Sequence, residues 1–140
     1  MERRDFLKTT CSFCLTLGTG ILTSGLSSCS SGTIYNAEKT GNTIAVPLSL
    51  FAENPFHIIR SNNFDYDIAL RQEENGTYTA LLLRCTHAAN QLISKGNSFT
   101  CSLHGSTFNK NGIVTRGPAE RPLQNLTTQI SGTNILISLN

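Results

Sequence analysis

The chain has no tryptophan, little charge and no long apolar run. Lys plus Arg number 11 and Asp plus Glu 9 in 140 residues, so charge is sparse and nearly balanced. That excludes a basic face for nucleic acid and an acidic interaction tail. No stretch keeps a helical periodicity, and there is no internal repeat. From Thr9 to Ser28, apolar residues (cysteines included) fill only 8 of 20 positions. A membrane span needs about 20 mostly apolar residues. What is present is 11 glycines, many Ser and Thr, and many β-branched residues, a mix that favours strands and turns. The length suits one domain.

The first thirty residues read as an address. Arg3 and Arg4 precede Phe6, Leu7 and Lys8, and no further charge appears before Glu38. A charged start, a modest apolar middle and small residues at the end make an export signal. Arg3-Arg4-Asp5-Phe6-Leu7-Lys8 resembles a twin-arginine signal, with Glu2 departing from the usual Ser or Thr. Leu26-Ser27-Ser28-Cys29 resembles a bacterial lipobox. That resemblance implies lipidation of Cys29, with Ser30 pointing to outward sorting; an uncleaved N-terminal anchor is the alternative. Cys11 and Cys14 form a Cys-x-x-Cys pair, but inside a signal nothing folded would tune a thiol. The twin-arginine route carries folded proteins, which suits a chain loaded with a labile cofactor before export. The expected organisation is a signal over 1–28, a polar tether over 29–42 and a domain over 43–140.

Within the domain, 43–51 (TIAVPLSLF), 56–61, 66–73, 77–85, 98–103 and 112–117 read as strands, with Pro47 marking an edge. Asn75-Gly76 and Asn109 to Gly112 are turn signals, and the last residues close as a hairpin around Gly132. The expectation is an all-β fold of small antiparallel sheets, with a loop-rich part that could present a metal site from strand ends.

The chemistry is concentrated in CTHAANQLISKGNSFTCSLHGSTF, Cys85 to Phe108. It holds Cys85-x-His87 and Cys101-x-x-His104, two of the three histidines and both cysteines outside the first thirty residues. One disulfide could explain two thiols but not the imidazoles beside them. Cys-x-His is awkward for one metal, because zinc sites usually space paired ligands by two to five residues. It fits better if Cys and His serve different metals, which gives one iron two thiolates and another two imidazoles. That is the arrangement of a Rieske [2Fe–2S] centre.

Here the sequence resembles the Rieske iron–sulfur family. Cys85-Thr86-His87 matches the family's first loop, and Cys101-Ser102-Leu103-His104-Gly105-Ser106 the second. Gly117-Pro118-Ala119 with Arg121-Pro122-Leu123 looks like the proline loop that shields the cluster. The resemblance covers roughly 43–140 and is most specific over 84–123. It implies a Rieske-like fold and one [2Fe–2S] cluster per chain. Cys85 and Cys101 would hold the buried iron, and His87 and His104 the outer one. Ser106 sits where high-potential members place a hydroxyl near a cluster sulfide, a bond that favours the reduced state.

There are departures. The 13 residues between His87 and Cys101 form a shortened connection. Quinol-oxidising members carry a disulfide between the loops, whereas this chain has Asn90 and Leu103 there. Phe108 replaces a Tyr that would bond a ligand sulfur. The expected potential lies between the ferredoxin-like and quinol-oxidising extremes, within about −150 to +300 mV. Solvent-facing imidazoles on ferric iron should also couple electron transfer to proton release at mildly alkaline pH.

The implied function is an exported one-electron carrier with no catalytic group beyond the cluster. It would be tethered to the membrane by an N-terminal lipid or anchor, on the periplasmic or extracytoplasmic side. A redox protein or quinol would be its partner, as part of a respiratory oxidoreductase. A ferredoxin-type component feeding an oxygenase is the alternative, favoured by Leu103 and Phe108 and opposed by the signal. An oxygenase would need a further iron held by two His and a carboxylate, and only His57 is left, placed to be structural. A non-redox zinc module also stays open at this stage, as do plain turn-forming roles for Ser106 and Pro118.

Overall fold

The computed structural model describes residues 32–140. Twelve strands run through them: β1 Thr33–Asn36, β2 Lys39–Thr40, β3 Thr43–Pro47, β4 Phe56–Arg60, β5 Ile68–Gln72, β6 Tyr78–Leu82, β7 Leu92–Lys95, β8 Ser98–Cys101, β9 Thr107–Asn109, β10 Val114–Arg116, β11 Asn125–Ser131 and β12 Asn134–Ser138. An eight-stranded sheet has the order β1-β4-β5-β6-β11-β12-β3-β2, and a four-stranded sheet the order β10-β9-β8-β7. The fold is all-β, as its composition implies. One 3-10 helix, Leu48–Ala52, is the helical element among the described residues. No helix among them is long and apolar enough to cross a membrane.

Strands β4, β5 and β6 read as nearly unbroken apolar runs because they are covered on both faces. Side chains alternate across a strand. Phe56, Ile58, Ala69, Leu81 and Leu83 face one core, which also takes in Phe99, Phe108, Cys85 and Cys101. Ile59, Ile68, Leu70, Ala80 and Leu82 face the other, with Ile44, Val46, Ile135 and Ile137. The three strands are thus a wall between a scaffold core and a core under the Cys/His loops. By contrast β12, which is covered on one face, alternates buried and half-buried residues.

Turn chemistry follows the sequence. Gly76 (φ +81) closes the β5–β6 hairpin, with its N–H on the Glu73 carbonyl at 2.9 Å. The Asn75 side chain caps the same turn by accepting from the Thr77 N–H.

Three details depart from expectation. The segment expected as a tether is drawn into the sheet from Thr33: β1 pairs in parallel with β4, and β2 pairs antiparallel with β3. The exposed edge of β4 offers unpaired backbone groups, and Tyr35 and Ala37 pack against the scaffold core. This parallel pair is the exception to otherwise antiparallel sheets. Second, the strand expected over 43–51 ends at Pro47 and turns into the 3-10 helix. Third, β7 and β9 are strands that periodicity did not mark. The export signal and Cys29, with Cys11, Cys14 and Ser30, lie outside the described residues.

Candidate functional site

The small sheet carries two loops of matching construction. The first follows β6 and runs from Cys85 to Gln91; the second runs from Cys101 to Ser106, between β8 and β9. In each, the Cys N–H donates to the carbonyl five residues on, Asn90 or Ser106, at 2.8 Å. In each, the N–H four residues on, Ala89 or Gly105, donates back to the Cys carbonyl, at 2.9 and 3.0 Å. The residue closing each turn has a positive φ, +50 at Ala89 and +79 at Gly105. The left-handed conformation costs a residue with a Cβ about 1–2 kcal/mol. A Cβ at Gly105 would meet open space, so Gly105→Ala is expected to cost about 1 kcal/mol through backbone strain alone. Ala89→Gly is expected to be neutral or slightly stabilising, because relieved strain offsets added chain entropy. Paired thermal melts would check this opposite response of two equivalent positions.

This construction sets the two thiols beside each other and the two imidazoles beside each other, and sorts the four sequence-selected residues by depth. Cys85 and Cys101 are free thiols, 2% and 1% exposed. His87 and His104 are exposed, and their rings meet edge to face with centroids 5.0 Å apart. Among the described residues, no three of His, Cys, Asp and Glu converge where a single ion could bind. A mononuclear structural zinc site would want four such ligands. Two thiols below and two imidazoles above suit a two-metal group with two protein ligands per metal.

The Cys101 sulfur is surrounded by donors. Burial pushes its thiol up, but the Leu103 and His104 backbone N–H groups, the Cys85 thiol and the Asn90 amide outweigh that. The net shift is downward. A site whose donors favour negative charge on sulfur is chemically suited to a thiolate ligand.

The third loop, between β10 and β11, locks onto both others. The Ala119 N–H donates to Ser106 Oγ at 2.9 Å, and Ser106 is fully buried. Thr86 Oγ1 donates to the Arg121 carbonyl at 2.7 Å. Gly117, Pro118 and Leu103 are all exposed. Ser106 therefore has a structural duty that its sequence position did not reveal. Ser106→Ala would strand the buried Ala119 N–H, and is expected to cost about 1–3 kcal/mol in a denaturation series.

A cavity of about 450 Å³ flanks the first loop, lined by Arg84, Thr86, His87 and Arg121 among others. The Arg84 guanidinium lies over the Tyr66 ring, and the Tyr66 hydroxyl donates to the Ala89 carbonyl at 2.8 Å. His57 lies on β4, 4% exposed, with Nε2 3.0 Å from the Asn54 carbonyl and its ring against Phe51. It sits apart from the loop pair. Sequence reasoning missed Thr86, Asn90 and Ala119 as structural partners, because each acts on a residue far along the chain.

The family profile for the Rieske [2Fe-2S] domain matches residues 51–127, more than half of the chain. Among solved structures, the chain is similar to the plasma membrane Rieske protein PetC3 of the cyanobacterium Synechocystis PCC 6803. Identity is 27% and the TM-score 0.52, over 66% of this chain and 94% of that one. It is similar in fold to the quaternary ammonium Rieske monooxygenase CntA, at 17% identity and TM-score 0.52, over 67% of this chain and 30% of that one. The ferredoxin of carbazole 1,9a-dioxygenase from Nocardioides aromaticivorans IC177 matches at 17% identity and TM-score 0.46, over 69% and 95% of the two chains. No curated protein matches the chain.

Proposed function

Because the chain belongs to the Rieske [2Fe-2S] family, a [2Fe–2S] cluster and one-electron transfer follow, and we propose the rest of its working. Cys85 and Cys101 hold the inner iron through thiolate sulfur, and His87 and His104 hold the outer iron through ring nitrogen. The observation that carries this is the depth sorting of buried thiols and exposed imidazoles. When bound, the cluster takes up and returns a single electron. The chain's residues do the rest. Backbone and side-chain donors around Cys101 favour the reduced, more negative state. The Ser106 hydroxyl accepts from the Ala119 N–H and so holds the third loop against the second. The third loop excludes water, and the imidazole edge meets the partner.

The setting we propose is the outer face of a bacterial membrane, beside a respiratory oxidoreductase. The twin-arginine and lipobox-like start favours it, and so does the likeness to a plasma membrane Rieske protein. An N-terminal lipid on Cys29, or an uncleaved anchor, would tether the domain, and the partner would be a redox protein or quinol. Leu103 and Phe108, similar to Rieske ferredoxins, support a second reading as a carrier feeding an oxygenase.

The test is full-length protein expressed in a bacterium with an intact twin-arginine pathway. Expected are two irons and two acid-labile sulfides per chain, in the membrane fraction on the extracytoplasmic side. A single one-electron wave should fall within about −150 to +300 mV. Zinc in place of iron would overturn the ligand assignment. A loaded, cytoplasmic chain with a wave near the lower bound would favour the oxygenase carrier.

A further inference from the structure

Asn90 is the only residue whose main chain and side chain each engage one of the two ligand cysteines, among the bonds described. Its carbonyl accepts from the Cys85 N–H at 2.8 Å. Its side-chain Nδ2 lies 3.8 Å from Cys101 Sγ, within donor range for a sulfur acceptor, and also donates to the Gln91 carbonyl at 3.1 Å. Ser106 holds the equivalent place in the second loop, with its carbonyl on the Cys101 N–H. The Ser106 side chain is taken by Ala119. The two loops are matched in backbone and differ here: one side chain braces the third loop, the other crosses to the opposite cysteine.

We infer that Asn90 is a positioning residue for the redox centre: its amide bonds the Cys101 ligand sulfur, holds the two loops in register and sets the potential upward. This rests on the ligand assignment proposed above. Reduction adds negative charge that is shared with the ligand sulfurs. An N–H aimed at one of them favours the reduced state more than the oxidised one. The effect is large in proportion to the bond because Cys101 is 1% exposed and poorly screened. Asn90 itself is half-buried, so the side chain is held in place without being needed to fill the core.

The test uses loaded, full-length protein and three variants. Asn90→Leu keeps the approximate shape and removes the donor. Asn90→Asp replaces the donor with negative charge. Asn90→Gln keeps an amide on a longer arm. The potential is expected to fall in N90L, to fall further in N90D and to recover at least partly in N90Q, with melting temperatures of the loaded forms close together. In resonance Raman spectra, the shift of the Fe–S(Cys) stretches on exchange into D2O should be smaller in N90L than in wild type. A wild-type potential in both N90L and N90D would overturn the inference and leave the ligand assignment standing. If N90L does not load while N90Q does, the amide link is supported through assembly. If N90L, N90D and N90Q all fail to load, the inference is overturned, because an amide at this position then does not rescue what the substitution removed. A wild-type chain without iron and sulfide would overturn the ligand assignment and this inference together.

Discussion

Cys101→Ala is expected to empty the centre of iron while leaving the large sheet folded. The proposed inner iron has two protein ligands, and the variant leaves it one. Iron and sulfide should fall from two each per chain to none, and the redox wave should vanish. The scaffold should survive because Cys101 belongs to the core under the loops. Ile44, Val46, Ile68, Leu70, Ile135 and Ile137 pack in a separate core on the far side of the β4–β6 wall. Far-ultraviolet circular dichroism should therefore keep its strand signal, and hydrogen exchange should quicken first in β7, β8 and β9. A variant that retained both irons would remove Cys101 from the ligand set. His104→Ala offers a contrast. Its ring is exposed, so cluster loss should come with little loss of packing.

Phe108→Ala should have the largest effect on stability. Phe99 and Phe108 face each other across β8 and β9, and both are fully buried in the core that holds Cys85 and Cys101. Removing a buried aromatic ring costs about 3–5 kcal/mol, because transfer free energy is lost and a cavity is left. Whole domains are stable by only about 5–15 kcal/mol. The denaturant midpoint should drop sharply with little change in slope, and cluster retention should fail well below the unfolding midpoint. A loss below about 1 kcal/mol would mean that this core collapses around the gap. Phe108 thus has a packing duty that is independent of the hydrogen bond a Tyr there would add.

The contrast between these variants reflects what could be read locally. Cys85-Thr86-His87 and Cys101-Ser102-Leu103-His104 each lie within one short segment, so their spacing carried the metal chemistry without any knowledge of the fold. Asn75-Gly76 and Gly132 carried their turns for the same reason, since a positive φ is a local demand. The strands of the central wall were visible as apolar runs. Which of their side chains faced which core was not, because alternation is hidden when both faces are covered. β7 and β9 are four and three residues long, too short for a period to show. They exist because β8 offers them its two edges.

The polar stretch after residue 32 shows the limit most clearly. Its composition reads as a tether, yet Thr33–Asn36 runs beside β4, since an open edge rewards any chain that can supply backbone partners. The sequence by itself determined the all-β class and the turns, and it singled out the four proposed ligand positions, because these depend on neighbours a few residues apart. Only the tertiary structure decided that Ser106 braces Ala119 and that Asn90 reaches Cys101. Those contacts join residues 11 to 13 positions apart, and they form only once the loops are fixed on a common sheet.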